Sequence, residues 1–290
     1  MKEHQTLSTR TGKLWVVATP IGNLEDLGGR AGRVLAEADL IAAEDTRHSG
    51  RLLAHLGLHR PLISLHEHNE EARVPRLVER MLDGQALALI SDAGTPLLSD
   101  PGFRLVRAAR EAGLLVLPVP GPSAALAALS VAGLPSDRFC FEGFLPATPG
   151  PRRQRLEDLL QMPATVICFE SSHRIASSVT DLAALAPERE AFLAREMTKQ
   201  FEEHFFGPAG TLPDWLAADP NRSRGEFVLL IAPYRESPGE AAEGGLHPEE
   251  ERVLATLLAE LPLKQAVRLT SQLTGVARNR VYARALALAG

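Results

Sequence analysis

In this 290-residue chain, the chemistry-bearing side chains gather most densely in Ser91-Asp-Ala-Gly-Thr-Pro-Leu-Leu-Ser-Asp-Pro-Gly102. Asp92 and Asp100 sit there among permissive Gly94 and Gly102 and restraining Pro96 and Pro101. Such a loop can offer backbone groups to a polar ligand and hold a carboxylate near a cationic one. A plain strand-to-helix connection with capping aspartates accounts for the same residues. His66-Glu-His68 places two imidazoles at alternate positions without a third ligand, which favours a polar rim or substrate contact over a metal. Ser171-Ser-His173 comes without the G-x-S-x-G elbow of a hydrolase. The first strand leads into neither a G-x-x-x-x-G-K-[ST] nor a G-x-G-x-x-G loop. Its sequel, Thr19-Pro-Ile-Gly-Asn-Leu24, is a tight turn in which Gly22 permits close approach.

These groups need elements to carry them. Apolar runs at 14–18, 40–43, 61–65, 86–90 and 114–117 alternate with helical patterns at about 30–38, 49–56, 70–82 and 103–112. That alternation predicts a mostly parallel sheet covered on both faces. The aspartate-rich loop then lies at the carboxyl end of a strand, where open α/β sheets bind ligands. After a small-residue helix at 121–129, with Ser123 placed to cap it, the pattern changes. Strands at 139–144, 164–169, 190–195, 202–206 and 225–231 outnumber helices at 151–161, 175–185 and near Trp215. A second α/β domain with a more mixed sheet is expected, including a hairpin around Thr198-Lys-Gln200. Residues 235–245 read as a polar linker, and helices at 248–260, 263–273 and 279–289 read as a helix-turn-helix-like appendage. The expected organisation is a flexible tail at 1–12, α/β domains at 13–119 and 120–235, a linker at 236–246, and a basic helical module at 247–290.

Composition narrows the class. A hydrophobic content of 45% supports a sizeable core, and a net charge of -5 argues against a general cationic coat for nucleic acid. Locally the balance reverses: 262–290 holds Lys264, Arg268, Arg278, Arg280 and Arg284 and no acidic residue. A basic face of this kind suits a phosphate backbone, while a solvated helix face or a dimer contact explains it too. Cys140 and Cys168 match no metal or redox spacing. The polar first dozen residues and the absence of a span-length apolar run lead to the expectation of a reduced, cytoplasmic protein with no membrane association.

Seven motifs occur in an order that resembles one family. They are Val17-Ala-Thr-Pro-Ile-Gly-Asn-Leu-Glu-Asp-Leu27, Ala43-Glu-Asp-Thr-Arg47, Ser64-Leu-His-Glu-His-Asn69, the loop from Ser91 to Gly102, Pro120-Gly-Pro-Ser-Ala124, Phe169-Glu-Ser-Ser-His-Arg174 and Arg195-Glu-Met-Thr-Lys199. The chain resembles bacterial small-subunit ribosomal RNA methyltransferase I, in the tetrapyrrole-methylase-like superfamily, over about 13–232. Its basic tail is similar to that family's extra module. Ser172 departs from the pattern, where proline is expected.

The resemblance implies two tetrapyrrole-methylase-like α/β domains with S-adenosylmethionine in the cleft between them, a small helical module and a homodimer. The implied reaction is 2'-O-methylation of a cytidine ribose in the decoding region of 16S ribosomal RNA, within a small ribosomal subunit. Two other readings stay open: a methyltransferase of tetrapyrroles or other small molecules, and a noncatalytic RNA-binding assembly factor. By resemblance the cofactor would meet Pro20, Asp92, Ala93, Gly94, Leu97 and Leu98, then Ser123, Ala124, Phe169, Glu226 and Phe227. Glu44, Asp45 and Lys199 are the candidate catalytic residues, a carboxylate or a neutral amine accepting the ribose proton. Arg47, His66, His68, Glu170, His173, Arg174 and Glu196 would surround the substrate, with the five tail cations on RNA.

Overall fold

A computed structural model describes residues 12–234, Leu246 and 248–289. The chain divides into two compact units, 1–233 and 234–290, each taken separately below. Most of the expected tail (1–11) and of the expected linker (235–245) lies outside the described residues. At its margins the organisation differs from expectation. Gly12 is buried, and a Cβ there would fall 1.9 Å from the Met81 carbonyl oxygen. Leu246 packs into the apolar core of the helical unit with Leu254, Val267 and Val281.

The first unit opens with β1 (Lys13–Val17), α1 (Gly29–Glu37), β2 (Leu40–Ala43), α2 (Thr46–His55) and β3 (Leu62–Ser64). It continues through α3 (Glu70–Leu82), β4 (Ala86–Ile90), α4 (Phe103–Glu111) and β5 (Leu115–Val119). The five strands form a wholly parallel sheet in the order β3-β2-β4-β1-β5. Strand β2 is buried throughout and β4 nearly so, as continuous apolar runs require when helices cover both faces. Helix α2 starts three residues before its apolar pattern does. Asp45 caps it by accepting the Arg47 backbone N–H at 2.7 Å. Helix α4 has no side-chain cap of its own at Gly102. Buried Glu70, at the start of α3, supplies one: its Oε1 accepts the N–H groups of Gly102, Arg104 and Leu105 at 3.1, 3.1 and 3.4 Å.

The second sheet follows α5 (Ala124–Val131) and is built from β6 (Phe139–Phe144), β7 (Thr165–Ser171), β8 (Glu190–Arg195), β9 (Glu203–Pro208) and β10 (Glu226–Ile231). Its order is β6-β7-β10-β8-β9, with β6 parallel to β7 and every other pair antiparallel. The mixed sheet and the β8–β9 hairpin agree with the sequence. Helices α6 (Pro149–Leu160), α7 (Ile175–Leu185) and α8 (Leu212–Ala217) accompany it. Buried Arg152 on α6 ties to buried Asp181 on α7 at 2.7 Å, and Arg153 shares the same carboxylate. Ile21, from the turn after β1, packs with Ala125, Leu129 and Met197 in the core above the second sheet, which joins the two halves.

The second unit is three helices, α9 (Pro248–Glu260), α10 (Leu263–Thr274) and α11 (Arg278–Ala289), around a small apolar core. Gly275, with φ 77°, ends α10 in the left-handed conformation that favours glycine. Among the described residues no helix is long and apolar enough to cross a membrane.

Candidate active site

The carboxyl ends of β1, β2 and β4 are stitched together by hydrogen bonds. Thr19 and Gly94 exchange backbone bonds at 2.9 and 3.0 Å, and the Thr19 hydroxyl donates to the Ser91 carbonyl at 3.1 Å. Asp92 Oδ1 accepts the Asp45 N–H at 3.0 Å, and the Glu44 carboxylate accepts the Asp92 N–H. Gly94 takes a φ of 77°, so glycine is required at the point where the loop turns.

Above this junction, between the two halves of the unit, lies a cavity of about 590 Å³, a size that suits a small-molecule cofactor. From the first half it is lined by Ala93, Gly94 and Leu98, three of the residues named for the cofactor, together with Ile21, Thr95 and Asp100. From the second half come Ser123, Ala124, Phe169, Glu226 and Phe227, also named for the cofactor, with Phe144 and Met197 added. Ser123 occupies the N-cap position of α5, but its hydroxyl does not cap the helix. That buried Oγ has no hydrogen-bond partner, so a polar donor-acceptor group is left facing the cavity.

Three expected cofactor contacts fall elsewhere. Leu97 packs against the apolar core of the first sheet. Pro20 and Asp92 line a separate, smaller pocket on the other side of the Thr19–Gly94 bridge. Backbone pairing of the two loops divides the space that a linear reading treats as one. Of the residues added by the structure, Thr95, Ser99 and Asp100 belong to the aspartate-rich loop itself. Met197 lies in the Arg195–Lys199 motif without an expected role there; it lines the cavity between Glu196 and Thr198, which adopt φ 53° and 62°. Left-handed non-glycine residues at a site are a store of backbone strain.

The charged lining is ordered. Lys199 Nζ lies 2.9 Å from Glu196 Oε1 and 2.9 Å from Glu226 Oε2, and all three line the cavity. Burial lowers the Lys199 pKa, but its two carboxylate partners outweigh that and hold it above its ordinary value. Burial likewise raises Glu196, and Lys199 more than offsets it, leaving that carboxyl below the usual range. Paired in this way, Lys199 favours the ammonium form and is a weak proton acceptor. Asp45 is also a weak acceptor: hydrogen bonds from Arg47 hold its carboxyl far below the usual range. Glu44 differs. Burial, and then the negative Asp100 and Asp92, raise its pKa. Asp100 is raised in the same way, by burial first.

Glu170 is buried at the cavity wall, accepts the Ser178 hydroxyl at 2.6 Å and pairs with Arg174 at 2.9 Å. Arg174 lies over the Phe144 ring, 5.3 Å from its centre. Arg47 is exposed and paired with Asp45, His173 is exposed, and neither lines the cavity. His66 and His68 stand 6.0 Å apart, edge to face, with the His66 ring 2.8 Å from the Asn69 amide, also outside the cavity. In the helical unit Lys264, Arg268 and Arg278 are exposed and Arg280 is half-buried. Arg268 donates to Gln272, and Arg284 is engaged by Glu251.

A parallel five-stranded sheet joined to a mixed one across a cofactor-sized cleft defines a tetrapyrrole methylase. Residues 13–213 match the family of Tetrapyrrole (Corrin/Porphyrin) Methylases, and residues 245–289 match the RsmI C-terminal HTH domain. The chain is similar over nearly its whole length to two relatives named ribosomal RNA small subunit methyltransferase I. The one from Pseudomonas aeruginosa is 52% identical over 276 residues, covering 95% of this chain and 97% of the relative. The one from Escherichia coli O157:H7 is 49% identical over 287 residues, covering 99% of each. The chain belongs to the ribosomal RNA small subunit methyltransferase I family. Its fold is shared with uroporphyrin-III C-methyltransferase from Thermus thermophilus, solved complexed with S-adenosylhomocysteine. There the TM-score is 0.53 at 18% identity, over 76% of this chain and 97% of that one.

Proposed function

We propose that this chain transfers a methyl group from S-adenosylmethionine to the ribose 2'-oxygen of a cytidine in the decoding region of 16S ribosomal RNA. What carries this reading is near-full-length identity to relatives named for ribosomal RNA methylation, combined with a cavity built for a mixed polar and apolar cofactor. The residues fit the donor. Ala93 and Gly94 present backbone at the cavity wall, Phe169, Phe227 and Met197 give it apolar surface, and the unpartnered Ser123 hydroxyl awaits a polar group. When bound, S-adenosylmethionine supplies an electrophilic methyl on a positively charged sulfur.

The protein's own work is alignment, exclusion of water and removal of one proton. Orientation of two reactants is worth up to about 7–11 kcal/mol of barrier in favourable cases. Glu44, just past the end of β2 and outside the cavity lining, is assigned the role of proton acceptor among the candidate residues. Its carboxylate is held by the Asp92 N–H, and burial, followed by the negative Asp100 and Asp92, raises its pKa and so makes it a stronger base. Asp100, on the cavity wall, adds negative charge that favours a cationic donor. Lys199 and Arg174 serve as fixed cations that orient polar groups of donor or acceptor. Arg47, His66, His68, Glu170, His173 and Glu196 complete the proposed acceptor environment. Lys264, Arg268, Arg278, Arg280 and Arg284 supply phosphate contacts from the helical unit.

The assembly is a homodimer acting on the small ribosomal subunit, which places the work in the cytoplasm. The proposed α/β domains span 13–119 and 120–235, and the helical module takes in Leu246 and runs to 290. Incubation of the protein with radiolabelled S-adenosylmethionine and unmethylated small subunits, followed by mapping of the labelled nucleotide, tests the reading. Label on one cytidine ribose is expected. Label only on a porphyrin-like acceptor, or none on RNA that the protein binds, refutes it.

A further inference from the structure

The pocket that takes Pro20 and Asp92 away from the main cavity has a composition that the donor does not use. It holds about 150 Å³, the room of roughly five waters. Its walls are the apolar side chains of Pro20, Leu24 and Leu52, with Arg51 on one side. Thr19, His48 and Ser91 also line it, and two further polar groups bring hydrogen-bonding capacity to it. Ser49, on α2, is 2% exposed and its Oγ has no hydrogen-bond partner, an unpaired group that costs free energy unless something meets it. Asp92 gives one carboxylate oxygen to the Asp45 N–H and keeps a second. Thr19 of this pocket is bridged through its backbone to Gly94, which lines the donor cavity with Ala93.

We infer that this pocket seats the base of the acceptor nucleotide, reading the Watson–Crick edge of an amino-pyrimidine. The inference rests on the ribose-methylation reading above and names what sets its base preference. An enzyme acting at a nucleotide in a folded RNA gains selectivity by taking the base out of its stack into a fitted slot. Here the free Asp92 oxygen accepts the exocyclic amino group, as carboxylates do with the cytosine N4 amine. The Ser49 hydroxyl donates to the ring nitrogen beside it. Pro20, Leu24 and Leu52 cover the ring, and Arg51 faces a flanking phosphate. Uracil presents a carbonyl where cytosine presents its amine, which sets oxygen against the Asp92 carboxylate. The pocket therefore selects cytosine by attraction and rejects uracil by repulsion.

The test is a competition between small subunits carrying cytidine or uridine at the mapped position, with donor affinity measured separately by calorimetry. Asp92→Asn keeps an oxygen for the Asp45 N–H and turns an amide N–H₂ into the pocket. The cytidine-to-uridine ratio of kcat/KM is expected to fall about tenfold or more in this variant. Ser49→Ala is expected to lower kcat/KM on cytidine while donor affinity stays within about twofold of wild type. Leu24→Trp changes a residue 45% exposed at the pocket and so spares the core; it is expected to raise the KM for RNA and leave donor binding alone. Folded Asp92→Asn with the wild-type base ratio, or Leu24→Trp with the wild-type KM, overturns the pocket assignment. If the wild-type protein methylates neither RNA, the methylation reading itself falls and takes the pocket with it.

Discussion

At the scale of single residues, Gly22 and Lys199 form a coupled pair. A Cβ on Gly22 would come within 2.2 Å of Lys199 Cγ and 2.9 Å of its Cε, so the lysine stem lies flat on the glycine. Gly22 has no left-handed φ, which means that alanine there brings a steric cost and no backbone strain. The flexible lysine is what yields. Gly22→Ala is therefore expected to displace the ammonium from Glu196 and Glu226 and to lower kcat/KM about tenfold or more, as misplacements near 1 Å do. In a Lys199→Ala background the same change should cost little; full additivity of the two in kcat/KM would break the link. Glu44 makes a separate prediction. With a pKa above the ordinary 4.5, its loss as a base on acidification gives single-turnover methylation a falling acid limb centred above that value. Glu44→Gln should lower the rate at neutral pH and flatten that limb. An unchanged pH profile assigns the proton to another group.

Elements carry the site through interactions that differ in how openly the sequence displays them. The 86–90 strand, the 70–82 helix and the aspartate-rich loop were legible because an apolar run bounded by Gly, Pro and Asp leaves few alternatives. What joins them was not. Glu70 caps α4 from 32 residues away, and nothing local to either helix announces it. Glu70→Ala should unpair three buried or half-buried N–H groups, destabilising the unit by about 2 kcal/mol in urea unfolding, and should loosen Gly102 at the end of the loop. The position of β10 between β7 and β8 was equally hidden, since strand order depends on pairings far apart in the chain. Asp181 exerts a comparable hold on α6 and α7. Its burial raises the carboxyl pKa, but Arg153 and Arg152 outweigh that and leave it below 3.8. A depressed pKa means the folded state binds fewer protons than the unfolded chain, so this contribution is intact above pH about 4 and is lost as pH falls through the folded value. Asp181→Asn leaves the Arg152 charge buried without its counter-ion and is expected to cost about 3 kcal/mol at neutral pH. Its acid unfolding should lack the wild-type slope below pH about 4. Identical slopes would deny Asp181 that role.

For the whole molecule, the division of labour follows the division into units. Every residue lining the proposed donor cavity and the proposed base pocket belongs to 1–233, whereas the acid-free basic stretch belongs to 234–290. The sequence displayed that split through its charge pattern, because a local run of cations in an acidic chain needs no fold to be seen. It could not show that Arg284 is engaged by Glu251 of its own unit, which reduces the charge available to RNA. Removing residues 236–290 should therefore leave donor affinity within about twofold of the full chain, since every cavity-lining group is retained. RNA binding should weaken by about tenfold or more at moderate salt. The dependence of binding on salt should also become shallower, because every phosphate that no longer meets a protein cation keeps its counter-ion. Calorimetry with S-adenosylmethionine and filter binding of small subunits over a salt series separate the two effects. A truncated protein that binds the donor normally and keeps both the RNA affinity and the salt slope of the full chain would show that the cations of the helical unit do not touch RNA.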